Sequence, residues 1–198
     1  MSVHASKFSL PIKGVMRTRD LEAMGWTRVA IGAMVQRGQL MRLGRGLYAP
    51  SDYVPTEDSA LAQVAIKHPQ AVFCLLTALR LHGLTTQNPH QVWIAIDHKA
   101  KAPNMAYPPL RIIRSTGEAL HEGIEQMTVD GAVQVAVTSL PKTLADCFKF
   151  RNKIGLDVAL EALREAWNAR RIPMDELYRC ARICRVEKVM QPYLESLA

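Results

Sequence analysis

Few side chains in this 198-residue chain stand at spacings that carry chemistry, and most of those sets have a plainer alternative. Asp97, His98 and Lys99 follow the apolar run Trp93 to Ile96, which is a strand followed by D-x-K, half of the metal-binding core of a restriction-type nuclease. Such a site needs a second carboxylate on an adjacent strand, and the nearest upstream acid, Asp58, lies at a helix cap. A strand running into a polar turn is the preferred reading. Cys180 and Cys184 share one helical face and with Cys74 or Cys147 have the ligand types for zinc, but no C-x-x-C or paired-histidine spacing accompanies them, so buried thiols are preferred. Lys142, Thr143 and Asp146 occupy one helical turn, followed by Arg151, Asn152 and Lys153. They are a candidate polar surface, with capping and an i,i+4 pair as the alternative. His82, between Leu81 and Gly83, reads as capping or packing. Gly44-Arg45-Gly46 lacks the spacing and the following helix of a phosphate loop. No catalytic residue, metal or cofactor is expected, and the chain reads as a non-enzyme.

Phosphate recognition is the chemistry with a consistent carrier. The whole chain has a net charge of +7, and residues 1–50 hold Lys7, Lys13, Arg17, Arg19, Arg28, Arg37, Arg42 and Arg45 against only Asp20 and Glu22. That first quarter therefore contributes +6 of the excess. Cations concentrated on one segment are what a polyanionic partner requires. A second basic set, Arg170, Arg171, Arg179, Arg182, Arg185 and Lys188, is diluted by Asp175, Glu176 and Glu187, so a solvated face is preferred there.

The elements that must position the first set are legible between Thr18 and Tyr48. Thr18 is placed to cap a helix with Asp20 and Glu22 in its first turn, stopped by Gly25. Thr27 is placed to cap a second helix whose buried stripe is Ile31, Met34 and Val35 and which ends at Gly38. Leu40 to Leu43 and Leu47 to Ala49, joined by Gly44, Arg45 and Gly46, fit a β-hairpin with an arginine at its tip. Two helices and a basic hairpin in this order are the pattern of a winged helix-turn-helix, preceded by a brief helix between His4 and Leu10.

The remainder is long enough for a second core, with 48% hydrophobic residues overall. Pro50 to Pro55 interrupts any regular element and marks the boundary. Helices are predicted over Ser59 to His68 and Phe73 to His82. Gln91 to Asp97, Leu110 to Arg114, Met127 to Val129 and Val133 to Val137 read as strands of a small mixed sheet, the last two joined by a type I′ turn at Asp130-Gly131. Lys99 to Pro109 reads as a loop. Thr138 or Ser139 caps a helix to about Phe150, with Pro141 in its first turn. Leu156, Leu160, Leu163 and Trp167 line a further helix. A last helix begins near Met174, burying Leu177, Ala181 and Cys184. The fold class is α+β: a winged helix-turn-helix at 1–52, then a larger mixed α/β domain at 56–198 with a C-terminal helical section. No apolar run is long enough to span a membrane, no signal peptide is read, and the four cysteines are expected as thiols, so a cytoplasmic protein is expected.

Three segments of the chain resemble the AbiEi family, the antitoxin and repressor halves of AbiE type IV toxin–antitoxin systems. Thr27, Arg37, Gly38, Leu40, Arg45, Gly46 and Tyr48 fall on the family's winged pattern. Phe73 to Leu84 (FCLLTALRLHGL) is similar to the small helix that begins its second domain, and Ala136 to Ala166 is similar to its long third segment. The resemblance implies a repressor that binds the operator DNA of its own operon, associated with the nucleoid, in a phage-defence system. It also implies that the second domain (56–198) counteracts a nucleotidyltransferase-like toxin without needing a stable complex, with no membrane partner. On this reading Lys142, Thr143, Asp146, Arg151, Asn152 and Lys153 become a candidate antitoxin surface.

The chain departs from the family where base contacts are usual: the exposed face of the second helix carries Val29, Ala30, Gly32 and Ala33. Such groups touch a thymine methyl but make no bidentate hydrogen bond to a base. DNA contacts are therefore expected from Arg17, Arg19, Thr27, Arg28, Gln36, Arg37, Arg42 and Arg45, with the helix ends and wing leading. A ligand-sensing stand-alone regulator is the alternative binding protein, and Asp97/Lys99 cleavage the alternative enzyme.

Overall fold

The computed structural model describes residues 14–56, 58–85, 89–130 and 133–197. The helix expected between His4 and Leu10, the cations Lys7 and Lys13, and the turn residue Gly131 lie outside them. The architecture is mixed α+β, in two compact units: the chain up to Lys67 together with Thr128–Gln134, and the two stretches His68–Met127 and Val135–Ala198. Among the described residues no helix is long and apolar enough to cross a membrane.

The first unit begins with β1 (Met16–Arg17), α1 (Thr18–Ala23) and α2 (Arg28–Gln36), followed by β2 (Leu40–Gly44), β3 (Leu47–Pro50) and α3 (Ser59–Lys67). The cap of α1 differs from expectation. Arg17 is the N-cap residue, and its N–H donates to the Asp20 carboxylate at 3.1 Å, so Asp20 holds the turn and Thr18 is its first helical residue. The cap of α2 is Thr27, whose hydroxyl accepts from the Ala30 N–H at 3.2 Å. Gly38 follows its C-terminus at φ +68°, a conformation that costs glycine little.

Strand β3 lies between β1 and β2, antiparallel to both, with Met16 opposite Tyr48 and Met41 opposite Ala49. The register shifts between Arg42 and Gly44, which leaves Arg45 and Gly46 as the turn at the tip. Leu21, Ile31 and Leu40 form one small core, joined by Met16, Trp26, Met34, Val35 and Tyr48. Val15, Leu47 and Ile66 form another, joined by Leu43, Tyr53 and Val133. The Pro50 to Pro55 stretch is pinned rather than loose: the Tyr53 hydroxyl donates to Asp130 Oδ2 at 2.7 Å, and Thr56 and Ser59 donate to Asp130 Oδ1 at 2.9 and 3.1 Å. The unit therefore continues through α3 and takes in Asp130.

The second unit adds β4 (Val72–Phe73), α4 (Leu75–Leu81), β5 (Val92–Asp97), β6 (Leu110–Ser115) and α5 (Glu118–His121), with the part of β7 (Ile124–Val129) up to Met127 and the part of β8 (Val133–Thr138) from Val135. Then come α6 (Leu140–Lys149), α7 (Arg151–Ile154), α8 (Leu156–Asn168), α9 (Met174–Cys184) and α10 (Glu187–Glu195). The sheet order is β6-β5-β4-β8-β7. It is mixed, with β5–β6 and β4–β8 parallel and β4–β5 antiparallel. The central strand β4 takes Phe73 out of the predicted Phe73 to His82 helix, because Val72 and Phe73 both pair on two sides. Helix α6 packs against α4, α8, α9 and α10 in the main core.

Two further readings are corrected by this packing. Helix α8 buries Val158, Ala159, Ala162, Leu163 and Ala166, whereas Leu156 is exposed and Leu160 and Trp167 are half-buried. The buried stripe thus runs through Val158 and Leu163 and the small alanines between them, one step round from the expected line. The single last helix is two helices, because Arg185 adopts the left-handed conformation (φ +59°) and the Val186 N–H closes on the Ala181 carbonyl at 2.8 Å.

Candidate nucleic-acid interface

Eight residues were expected to meet DNA, and the structure sorts them by what already occupies their polar groups. Arg37 follows the C-terminus of α2 and Arg45 sits at the hairpin tip; both are exposed, with no anionic partner among the described residues. Gln36 is exposed beside Arg37. Arg42 is exposed on β2, its Nε donating to the Gly44 carbonyl at 3.3 Å, so its charge has no counterion there. These four remain available to a ligand.

The other four are committed. Arg28 is exposed, yet its Nε donates to Glu22 Oε1 at 2.7 Å, and that hydrogen bond raises its pKa further. The contact links α1 to α2 at the surface, where solvent screens it. Arg19 stands 3.5 Å from Asp20. Thr27 is spent on its cap. Arg17 is half-buried, its guanidinium donates to the Ala65 carbonyl at 3.5 Å, and burial lowers its pKa. It joins α1 to α3 rather than facing outward.

The outer face of α2 is as bare as its sequence indicates. Val29 is 83% exposed, and a Cβ added to Gly32 meets nothing within 4 Å. A sequence reading had no signal for Lys67, the last residue of α3, whose ammonium lies 3.9 Å from where a Cβ on Gly44 would stand. Its place beside the hairpin comes from the packing of Ile66 with Val15 and Leu47.

Half of the candidate antitoxin surface lies inside the fold. Lys142, Thr143 and Asp146 are 1%, 0% and 7% exposed, because α6 is enclosed by helices on several sides. Lys142 Nζ donates to Asp146 Oδ2 at 2.5 Å, the Cys184 thiol donates to Asp146 Oδ1 at 3.2 Å, and Thr143 bonds Thr138. Burial pulls the Lys142 pKa down, but Asp146 and Cys184 together outweigh it, and the net shift is upward. Arg151 donates to the Phe148 carbonyl at 2.9 Å, while Asn152 and Lys153 are exposed.

The remaining sets have local roles. Asp97 Oδ1 accepts from the Lys99 N–H at 2.8 Å, Arg114 gathers the carbonyls of Asp97, His98 and Ala100, and Ser115 stands opposite Asp97 on β6. The D-x-K stretch is thus a closed turn with a hydroxyl, not a carboxylate, on the paired strand position. Cys74, Cys147, Cys180 and Cys184 are buried free thiols, and among the described residues no group of three His, Cys, Asp or Glu side chains is placed to hold a metal. His82 is buried with Nε2 at 2.8 Å from the Thr138 carbonyl. In the basic C-terminal set, Arg179 is taken by Glu176 and Glu122, whereas Arg182, Arg185 and Lys188 are exposed.

Residues 12–51 match the family described as transcriptional regulator, AbiEi antitoxin. The match covers the stretch from β1 to the end of the hairpin, where the resemblance through Thr27, Arg37, Arg45 and Tyr48 lies; Phe73 to Leu84 and Ala136 to Ala166 fall outside it. No curated protein matches the chain.

Proposed function

We propose that this chain is a DNA-binding transcriptional repressor, and that β1, α1, α2 and the β2–β3 hairpin act as a winged helix-turn-helix. One observation carries the reading: the segment matched to AbiEi regulators is also the segment on which Arg37, Arg42 and Arg45 stand exposed without a counterion among the described residues. Phosphate contacts from the end of α2 and from the hairpin would supply affinity and register. The bare face of α2 would lie against base edges, where methyl groups favour thymine.

In its finer form the proposal is an antitoxin that represses its own operon in the cytoplasm and counteracts a nucleotidyltransferase-like toxin. It involves no chemistry by Asp97 or Lys99. The support for the regulator is the family match, and the support for the antitoxin is the family's description. A gel-shift titration on the duplex upstream of its own coding sequence tests the first part. Arg37→Ala combined with Arg45→Ala is expected to lower the slope of log K against log salt by about 1.8, about 0.9 for each phosphate contact. Absence of binding by the wild type at low salt refutes the regulator, and an unchanged slope in the double variant refutes the assigned contacts. Growth with the neighbouring gene expressed, with and without this chain, tests the second part.

A further inference from the structure

The structure removes one cation from the expected interface and supplies another. Ala65, which accepts from Arg17, is among the last residues of α3, whose carbonyls lack intrahelical partners. A guanidinium at that end satisfies a carbonyl and suits the negative pole of the helix. Arg17 thereby serves the C-terminus of α3, and Lys67 is not needed for that task. Lys67 is exposed and stands beside Gly44, the same residue whose carbonyl receives Arg42. Two cations remote in sequence thus converge on one hairpin residue. Neither charge gains a counterion among the described residues, whereas a polyanion laid along the hairpin supplies one to both.

We propose that Lys67 is a DNA-backbone contact and that the hairpin's phosphate-binding surface is built from Arg42, Arg45 and Lys67. That surface extends beyond the residues matched to the regulator family. The inference rests on the repressor reading in taking DNA as the polyanion. Because the contact is to phosphate, it acts on any sequence.

Full-length protein is titrated against two duplexes of equal length, one from the region upstream of its own coding sequence and one of random sequence, over a series of salt concentrations. Lys67→Gln is expected to lower the slope of log K against log salt by about 0.9 on both, with an unchanged melting midpoint. Lys67→Arg is expected to restore the slope, and Lys101→Gln, on an exposed loop, to leave it unaltered. A wild-type slope in Lys67→Gln, while Arg45→Ala still lowers it, overturns the Lys67 assignment and leaves the repressor reading standing. A fall in melting midpoint with no change of slope assigns Lys67 to the end of α3 instead. If neither duplex binds at low salt, both readings fail.

Discussion

Helices α2 and α6 invert the ordinary polar-outside rule in opposite directions. Helix α2 turns Val29, Ala30 and Gly32 to solvent, while α6 encloses Lys142 and Asp146 among apolar neighbours. The two inversions differ greatly in energy. A few exposed small apolar groups cost folding almost nothing, so a bare face is free to serve an external partner. A buried charge costs several kcal/mol unless it is paired, and α6 keeps its charges by completing their bonds within the fold. Asp146 receives the Lys142 ammonium and the Cys184 thiol. Burial, followed by the Asp146 carboxylate, raises the Cys184 pKa to about 12, which keeps its proton available for donation. Gly123 covers the Lys142 stem so closely that a Cβ there would lie 2.9 Å from Lys142 Cβ. One region is open because its groups are unspent, and the other is closed because its groups satisfy one another.

The largest effect that would break this contrast lies in α6. Asp146→Ala is expected to lower stability by about 3–5 kcal/mol in denaturant titration, since it strands a buried ammonium. Replacing the pair together, Lys142→Met with Asp146→Leu, is expected to recover most of that loss. A single-variant loss under about 1 kcal/mol would place the Lys142–Asp146 pair with solvent-exposed ion pairs.

A smaller effect sharpens the contrast at α2. Gly32→Ala enters open space at a helical position, so it is expected to raise stability by about 1 kcal/mol. It should also weaken binding to the upstream duplex if the bare face seats against base edges. Greater stability with unaltered binding would show that the glycine serves no contact.

The smallest expected effect concerns the tie that brings Asp130 into the first unit. Burial, reinforced by Asp130 and opposed by the Ser59 hydrogen bond, raises the Tyr53 phenol from 10.0 to about 12. Between those values the folded state keeps a proton that the unfolded chain has lost. This contribution is therefore full below pH 10 and disappears as pH rises towards 12. Tyr53→Phe should show a shallower fall of melting midpoint over that window, and a slope equal to wild type would detach Tyr53 from the alkaline transition.

Features set by near neighbours were legible in the residues. The Thr27 cap, the stop after α2 at Gly38 and the arginine at the hairpin tip each depend on bonds or dihedrals spanning a few positions. The misread features depend on a second element. Strand β4 exists because Val72 and Phe73 pair with β5 and β8, and the buried stripe of α8 is set by the helix it meets. Thr18 lost its predicted cap to Asp20, since Arg17 was drawn into β1 and left its N–H to the nearest carboxylate.

The sequence by itself determined where positive charge accumulates, where the second helix is capped and stopped and where the hairpin turns, because ionisation and local turns belong to residue types and their near neighbours. Only the tertiary structure decided which charges are free. Arg17 and Arg45 are equally basic in sequence, yet one is half-buried against the end of α3 and the other stands exposed at a hairpin tip. Lys142 and Lys67 are likewise the same residue type, one enclosed with its carboxylate and the other exposed beside Gly44. A side chain carries its charge wherever the chain goes, but its desolvation and its partners are set by whatever packs beside it.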